Sequence, residues 1–141
     1  MKYPKWPKRD PIKNYFPVPN EVFLLGLSPG ELAVYSYLLF CEDRSTYQCW
    51  PSFKTIGKAT GMSTNTVRKY VRMLEERGLI TTDPTSIITK DGQKRNGNLL
   101  FTIRPIQEAV EQFYQQQLEN ISLDVQREKI SAAKLKQERP A

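Results

Sequence analysis

Between Ser63 and Arg72 the sequence reads Ser-Thr-Asn-Thr-Val-Arg-Lys-Tyr-Val-Arg. Its polar members are short hydroxyls, one amide and three cations. An asparagine amide can pair with the edge of adenine, and lysine or arginine can reach guanine or a phosphate. At about 100° per residue on a helix, Val67, Tyr70, Val71 and Leu74 share one face and must pack inward. Asn65, Lys69 and Arg72 then lie opposite, and Thr64, Thr66 and Arg68 flank the start. Ser63 stands where a helix is capped, and a helix N-terminus favours a phosphate oxygen. The chemistry on offer is non-covalent recognition of a polyanion. An ordinary surface helix has the same two-faced pattern, so the neighbouring elements have to decide.

Those neighbours are well marked. Ser52 caps a short helix from Phe53 to Thr60, with Lys54 and Thr55 near its start as candidate phosphate contacts. Gly61 suits the left-handed position that closes such a helix. Thr60-Gly61-Met62-Ser63 is the length of turn that lets two helices cross steeply. The following helix runs without a breaker to Gly78. Leu79 to Thr82 and Asn98 to Ile103 have strand character, with Ile87-Ile88-Thr89 as an extension of the first. Asp91-Gly92 and Asn96-Gly97 are turn signals. The expected product is a two-stranded hairpin with a long basic tip, Lys90 to Asn96, in which Lys90, Lys94 and Arg95 could meet phosphates. Upstream, Ser28-Pro29-Gly30-Glu31 is a capping box that opens a helix carrying Leu32, Val34, Tyr35, Leu38 and Leu39. Residues 44–51 read as a loop. The order predicts a mainly α (α+β) fold: a winged helix-turn-helix with a two-stranded β wing and an added C-terminal helix.

Composition narrows the function classes. The 141 residues carry a net charge of +6 and contain no histidine. Cys/His zinc sites and histidine acid–base chemistry are therefore excluded, and no phosphate loop or paired-carboxylate motif is present, so an enzyme is not expected. No cofactor or small-molecule ligand is evident. The positive charge is concentrated in two blocks, +4 over residues 1–13 and +6 over residues 51–104, while residues 14–50 carry −3 and residues 105–141 carry −1. Such blocks favour a polyanion partner, and with the order of elements above the expected one is double-stranded DNA. An acidic protein could use the same face, which leaves a protein-interaction module as the alternative. Cys41 and Cys49 are too few for a disulfide framework and read as small buried apolar groups. The lysines at the N-terminus have no apolar stretch behind them and no run suits a membrane span, so a cytoplasmic, nucleoid-associated protein is expected.

Five prolines make residues 1–20 an extended basic arm, with Trp6, Tyr15 and Phe16 as anchors. Residues 21–104 form the winged domain. Residues 105–125 form a last helix opened by Pro105, and residues 126–141 a charged tail expected to fray. One winged helix covers one half-site, so a homodimer is a natural extension, with Val110, Phe113, Tyr114 and Leu118 as its candidate interface.

The run Ser63 to Val71 followed by Leu74-Glu75-Glu76-Arg77-Gly78-Leu79-Ile80 resembles the winged helix-turn-helix families of bacterial regulators, above all proteins of conjugative and phage-like elements of Gram-positive bacteria. Trp50-Pro51-Ser52 is similar to the same group. Tyr15 to Phe23, leading to Leu27-Ser28, resembles the opening of plasmid replication-initiator N-terminal domains. The resemblance covers about residues 14–105 and implies DNA binding through Ser63, Thr64, Asn65, Thr66, Arg68, Lys69 and Arg72, with Lys94 and Arg95 in the wing. Such initiators are much longer, so a stand-alone regulator or an accessory factor of a mobile element is the expected role.

Overall fold

The computed structural model describes residues 15–138. Most of the expected arm, including Trp6, and the last three residues lie outside the described residues. Of the other two expected anchors, Phe16 has its ring 5.8 Å from that of Phe40, and both Phe16 and Tyr15 are exposed. A one-turn 3-10 helix, Asn20–Leu24, then leads to α1, Pro29–Cys41. A short strand β1, Gln48–Cys49, precedes α2, Phe53–Thr60, and α3, Thr64–Glu76. Strands β2 (Ile80–Asp83), β3 (Ser86–Ile88), β4 (Lys94–Asn96) and β5 (Leu100–Ile103) follow, and α4 spans Ile106–Glu138.

The three helices pack around one core. Val34, Tyr35 and Leu38 of α1, Ile56 of α2, Val67, Val71 and Leu74 of α3, and Leu79, Ile80 and Phe101 of the strands are all buried. On α3 this is the apolar face read from periodicity, with Tyr70 partly buried at its margin. Cys49 is buried and its thiol lies 3.7 Å from the Leu38 carbonyl oxygen, while Cys41 is half-buried and both are free. Burial first, then the proximity of Cys41 and Glu42, pushes the Cys49 thiol up to about 12.

Three expectations are corrected. Residues 44–51 are not all loop: Gln48 and Cys49 pair antiparallel with Thr102 and Phe101, so the sheet has three strands in the order β1-β5-β2. Cys49 belongs there because its side chain fills the core. The basic segment Lys90–Asn96 is not one long tip either. Lys94, Arg95 and Asn96 form β4, paired with Ile88, Ile87 and Ser86, and the turn is confined to residues 89–93, with Gly92 at φ +76°. Asn96-Gly97 is therefore no hairpin turn. It lies where the chain passes from β4 towards β5, and Gly97 donates to the Thr85 carbonyl at 2.8 Å. Finally, the last helix does not fray near residue 125 but continues to Glu138. No glycine or proline interrupts residues 106–138, and good helix formers dominate there.

A polar knot holds the helices to their entry loop. Ser28 and Glu31 form the expected capping box, each side chain accepting the other's backbone N–H at 3.3 Å. The Glu31 side chain is 1% exposed and is also paired with the Arg77 guanidinium. Arg77 is the C-cap of α3, and it donates further to the carbonyls of Leu25 at 2.9 Å and Gly26 at 3.3 Å. Burial would raise the Glu31 carboxyl, but hydrogen bonds from Arg77 and Ser28 outweigh it and hold the group below its ordinary 4.5. A lowered carboxyl contributes stability that is present above the unfolded value and lost as pH falls through the folded one. Stability is therefore expected to drop below about pH 4.5 in part through Glu31, and Glu31→Gln should flatten that drop in urea titrations across pH 3–6. Arg77→Ala leaves a buried carboxylate unpaired and should cost about 3 kcal/mol at pH 7 in the same assay.

Candidate nucleic-acid interface

The recognition surface begins with the turn between α2 and α3. Gly61 closes α2 in the left-handed region at φ +72°. Gly57 has a different reason to be glycine: a Cβ there would collide with the Met62 backbone carbonyl and touch Val67 at 3.5 Å. The Met62 N–H returns to the Gly57 carbonyl at 2.9 Å. The turn is tight enough that the start of α3 is placed by backbone contact with α2. Ser63 then caps α3, its Oγ accepting the Thr66 N–H at 3.2 Å and lying 2.9 Å from the Thr66 hydroxyl. Ser52 does the same for α2, accepting the Thr55 N–H at 3.0 Å with its Oγ 2.8 Å from the Thr55 hydroxyl.

These caps divide the candidate residues. Ser63, Thr66 and Thr55 spend their hydroxyls on helix ends, so their first role is to shape the surface. Thr64, Asn65, Arg68, Lys69 and Arg72 are exposed on α3, and Lys54 on α2. Arg68 lies over the Phe53 ring, 5.6 Å from its centroid, and Nη1 reaches the Asn65 Oδ1 at 3.4 Å. The guanidinium thus bridges the two helices and holds the Asn65 amide by its oxygen. Lys69 stands 5.5 Å from the centroid of the Tyr70 ring. Beyond Arg72 the outward face meets Glu76, whose negative charge ends the cationic surface.

The wing starts from the other end of α3. Glu75 accepts from the Thr82 N–H at 3.2 Å and from its hydroxyl at 2.8 Å, tying α3 to β2. The β2–β5 ladder continues the core, whereas every residue of β3 and β4 is exposed. Lys94 and Arg95 are neighbours in one strand and therefore project from opposite faces of the ribbon, with Lys90 in the turn. Candidates missed by sequence reasoning are Ile87 and Ile88, 55% and 79% exposed beside these cations. Their β-branched character had signalled only a strand.

Among the described residues no group of three or more His, Cys, Asp or Glu is placed to hold a metal, and no helix is long and apolar enough to cross a membrane. Tyr35 and Glu42 have buried oxygens without hydrogen-bond partners beside an apolar cleft between residues 17–19, α1 and the start of α4. Burial, then Glu42, pushes the Tyr35 hydroxyl up to about 12.

Residues 25–80 match the family model described as a helix-turn-helix domain. The matched stretch runs from the loop before α1 to the first residue of β2. No curated protein matches the sequence. Among solved structures, it is similar to a possible transcriptional regulator from Methanosarcina mazei, with 17% identity over 73% of this chain and 80% of that one at a TM-score of 0.49. A probable transcriptional regulator from Pseudomonas aeruginosa shares 25% identity over 78% and 79% at 0.38. The S. aureus MepR F27L mutant bound to an oligodeoxyribonucleotide shares 16% over 83% and 81% at 0.42.

The turn geometry has a measurable consequence. Gly61→Ala meets open space and suffers only from its backbone angle, at about 1 kcal/mol. Gly57→Ala must displace backbone and should cost about 2–3 kcal/mol. Urea denaturation of the two variants ranks them, and the reverse order would mean that the turn is looser than its contacts indicate.

Proposed function

We propose that this protein binds double-stranded DNA sequence-specifically as a transcriptional regulator, with the first half of α3 in the major groove. One observation carries the reading: a helix-turn-helix whose second helix buries Val67, Val71 and Leu74 and turns Asn65, Lys69 and Arg72 outward over its first two and a half turns. In a recognition helix, the N-terminal residues are those that reach base edges. Asn65, positioned by Arg68, would read a base edge; Lys69 would reach guanine or phosphate. The capped N-terminus at Ser63 would receive a phosphate oxygen. Lys54 on α2 and Lys90, Lys94 and Arg95 of the wing would add backbone contacts, which position the protein without reading sequence.

The resemblance of Tyr15 to Ser28 to replication-initiator N-terminal domains supports a finer role in transcription, replication or maintenance of a mobile element, on the nucleoid of a bacterial cell. A two-fold site would be bound by two copies. Sites selected from a random duplex pool provide the test, followed by titration on selected and scrambled duplexes at two salt concentrations. Lys69→Ala should lose about 1–3 kcal/mol on the selected site and less on the scrambled one. Lys94→Ala should weaken both equally and reduce the slope of log K against log salt by about one. Equal losses on both duplexes for Lys69→Ala would remove it from base reading. Absence of any shift at low salt would favour the protein-interaction module instead.

A further inference from the structure

The C-terminal helix has more apolar surface than its own domain can use. Only its first two turns join the core: Ala109 is buried, and Ile106, Val110 and Phe113 pack against it. Two of the four candidate interface residues, Val110 and Phe113, are therefore largely taken by the chain itself. From Tyr114 onward every residue through Gln137 is exposed, and the helix of 33 residues is about 50 Å long. Helices that stand off into water are marginal without a partner for their apolar face.

Of the seven large apolar side chains exposed from Tyr114 onward, five lie along one line, and Leu123 and Ile130 fall outside it. Tyr114, Leu118, Ile121, Val125, Glu128, Ala132 and Leu135 follow one another at alternating intervals of four and three. That is the seam of a two-stranded coiled coil, apolar at every position except Glu128. Tyr114, Leu118, Ile121 and Leu135 are each more than half exposed.

We propose that this seam pairs with the same seam of a second copy, antiparallel, with the two-fold axis near residue 123 and Glu128 as the residue that sets the direction. In a parallel pair Glu128 would face its own copy inside the seam, two like charges in a poorly solvated layer. The rim offers only Asp124 against Lys129 in return, an exposed pair of small effect. In the antiparallel register Ile121 faces Val125 at the centre, Leu118 lies along the aliphatic stem of Glu128, and the large Tyr114 meets the small Ala132. The two Glu128 carboxylates are then far apart, each beside the Gln115 and Gln117 amides of the other copy.

The same register carries apolar surface towards the end of the domain that holds a second exposed patch. Phe23 and Leu24 of the 3-10 helix are 76% and 61% exposed, and this helix packs beside the first turns of α4. An antiparallel partner brings its Leu135 to the level of Glu111, at the end of α4 that this helix packs against. Only the consequence for two half-sites rests on the DNA-binding reading; the pairing itself is a property of the free protein.

Sedimentation equilibrium of the full chain without DNA tests it. A dimer is expected at tens of micromolar, and Ile121→Lys, placed twice in the central layer, should weaken it roughly a hundredfold or more while leaving the near-ultraviolet signal of the domain intact. Direction is read by disulfide trapping in a Cys41→Ser background. Mixed Tyr114→Cys and Ala132→Cys proteins should cross-link to each other and neither to itself. Glu128→Leu should tighten the dimer and permit self-cross-linking of Ala132→Cys. A wild-type monomer, a dimer indifferent to Ile121→Lys, or self-cross-links in place of mixed ones would each overturn the proposal, whatever the DNA titrations show.

Discussion

The pairing of Glu31 with Arg77 is the constraint on which the placement of α3 depends. Glu31 stands in the first turn of α1 and Arg77 closes α3, so one buried contact fixes the start of the first helix against the end of the third. Through the carbonyls of Leu25 and Gly26, the same guanidinium also holds the entry loop. A single carboxylate caps its own helix and neutralises a cation from another. Such pairs gain little over well-packed apolar groups but are costly to break, so the contact enforces one relative placement of the helices more than it adds net stability.

That placement allows the outward face of α3 to be polar without penalty. With its C-terminal end held by Arg77 and Glu75 and its start held by the Gly57–Met62 contact, α3 needs no support from Asn65, Lys69 or Arg72. Their side chains stay exposed, engaged only by the local contacts of Asn65 with Arg68 and of Lys69 with Tyr70. The division continues through the molecule: hydroxyls build caps, the Glu31–Arg77 pair builds the frame, and the cations on the outward face of α3 and in the wing remain at the periphery.

Much of this was legible in the sequence, for identifiable reasons. Ser28, Ser52 and Ser63 announce helix starts through local hydrogen bonding, and Gly61 announces an end through backbone angle, so α1, α2 and α3 could be read closely. The buried face of α3 followed from periodicity alone. Long-range features were harder. Nothing near Gln48-Cys49 shows that β5 lies beside it, because two residues carry no period. Nothing near Arg77 names Glu31, 46 positions away. The wing was misjudged because Asn96-Gly97 has the chemistry of a turn, but pairing of Thr85 with Gly97 overrides that local preference. The far half of α4 looked like a fraying tail because its charge concealed a sparse apolar stripe that only a continuous helix aligns.

The outer ribbon of the wing contributes nothing to the core, since all six residues of β3 and β4 are exposed. Its sequence is thus almost uncoupled from folding. Mutations there can accumulate, lengthen or recharge the ribbon without passing through an unstable intermediate, whereas changes in α3 must keep Val67, Val71 and Leu74 in place. In an evolving lineage the ribbon is the part free to drift, and a change of surface chemistry can begin there before any change in α3.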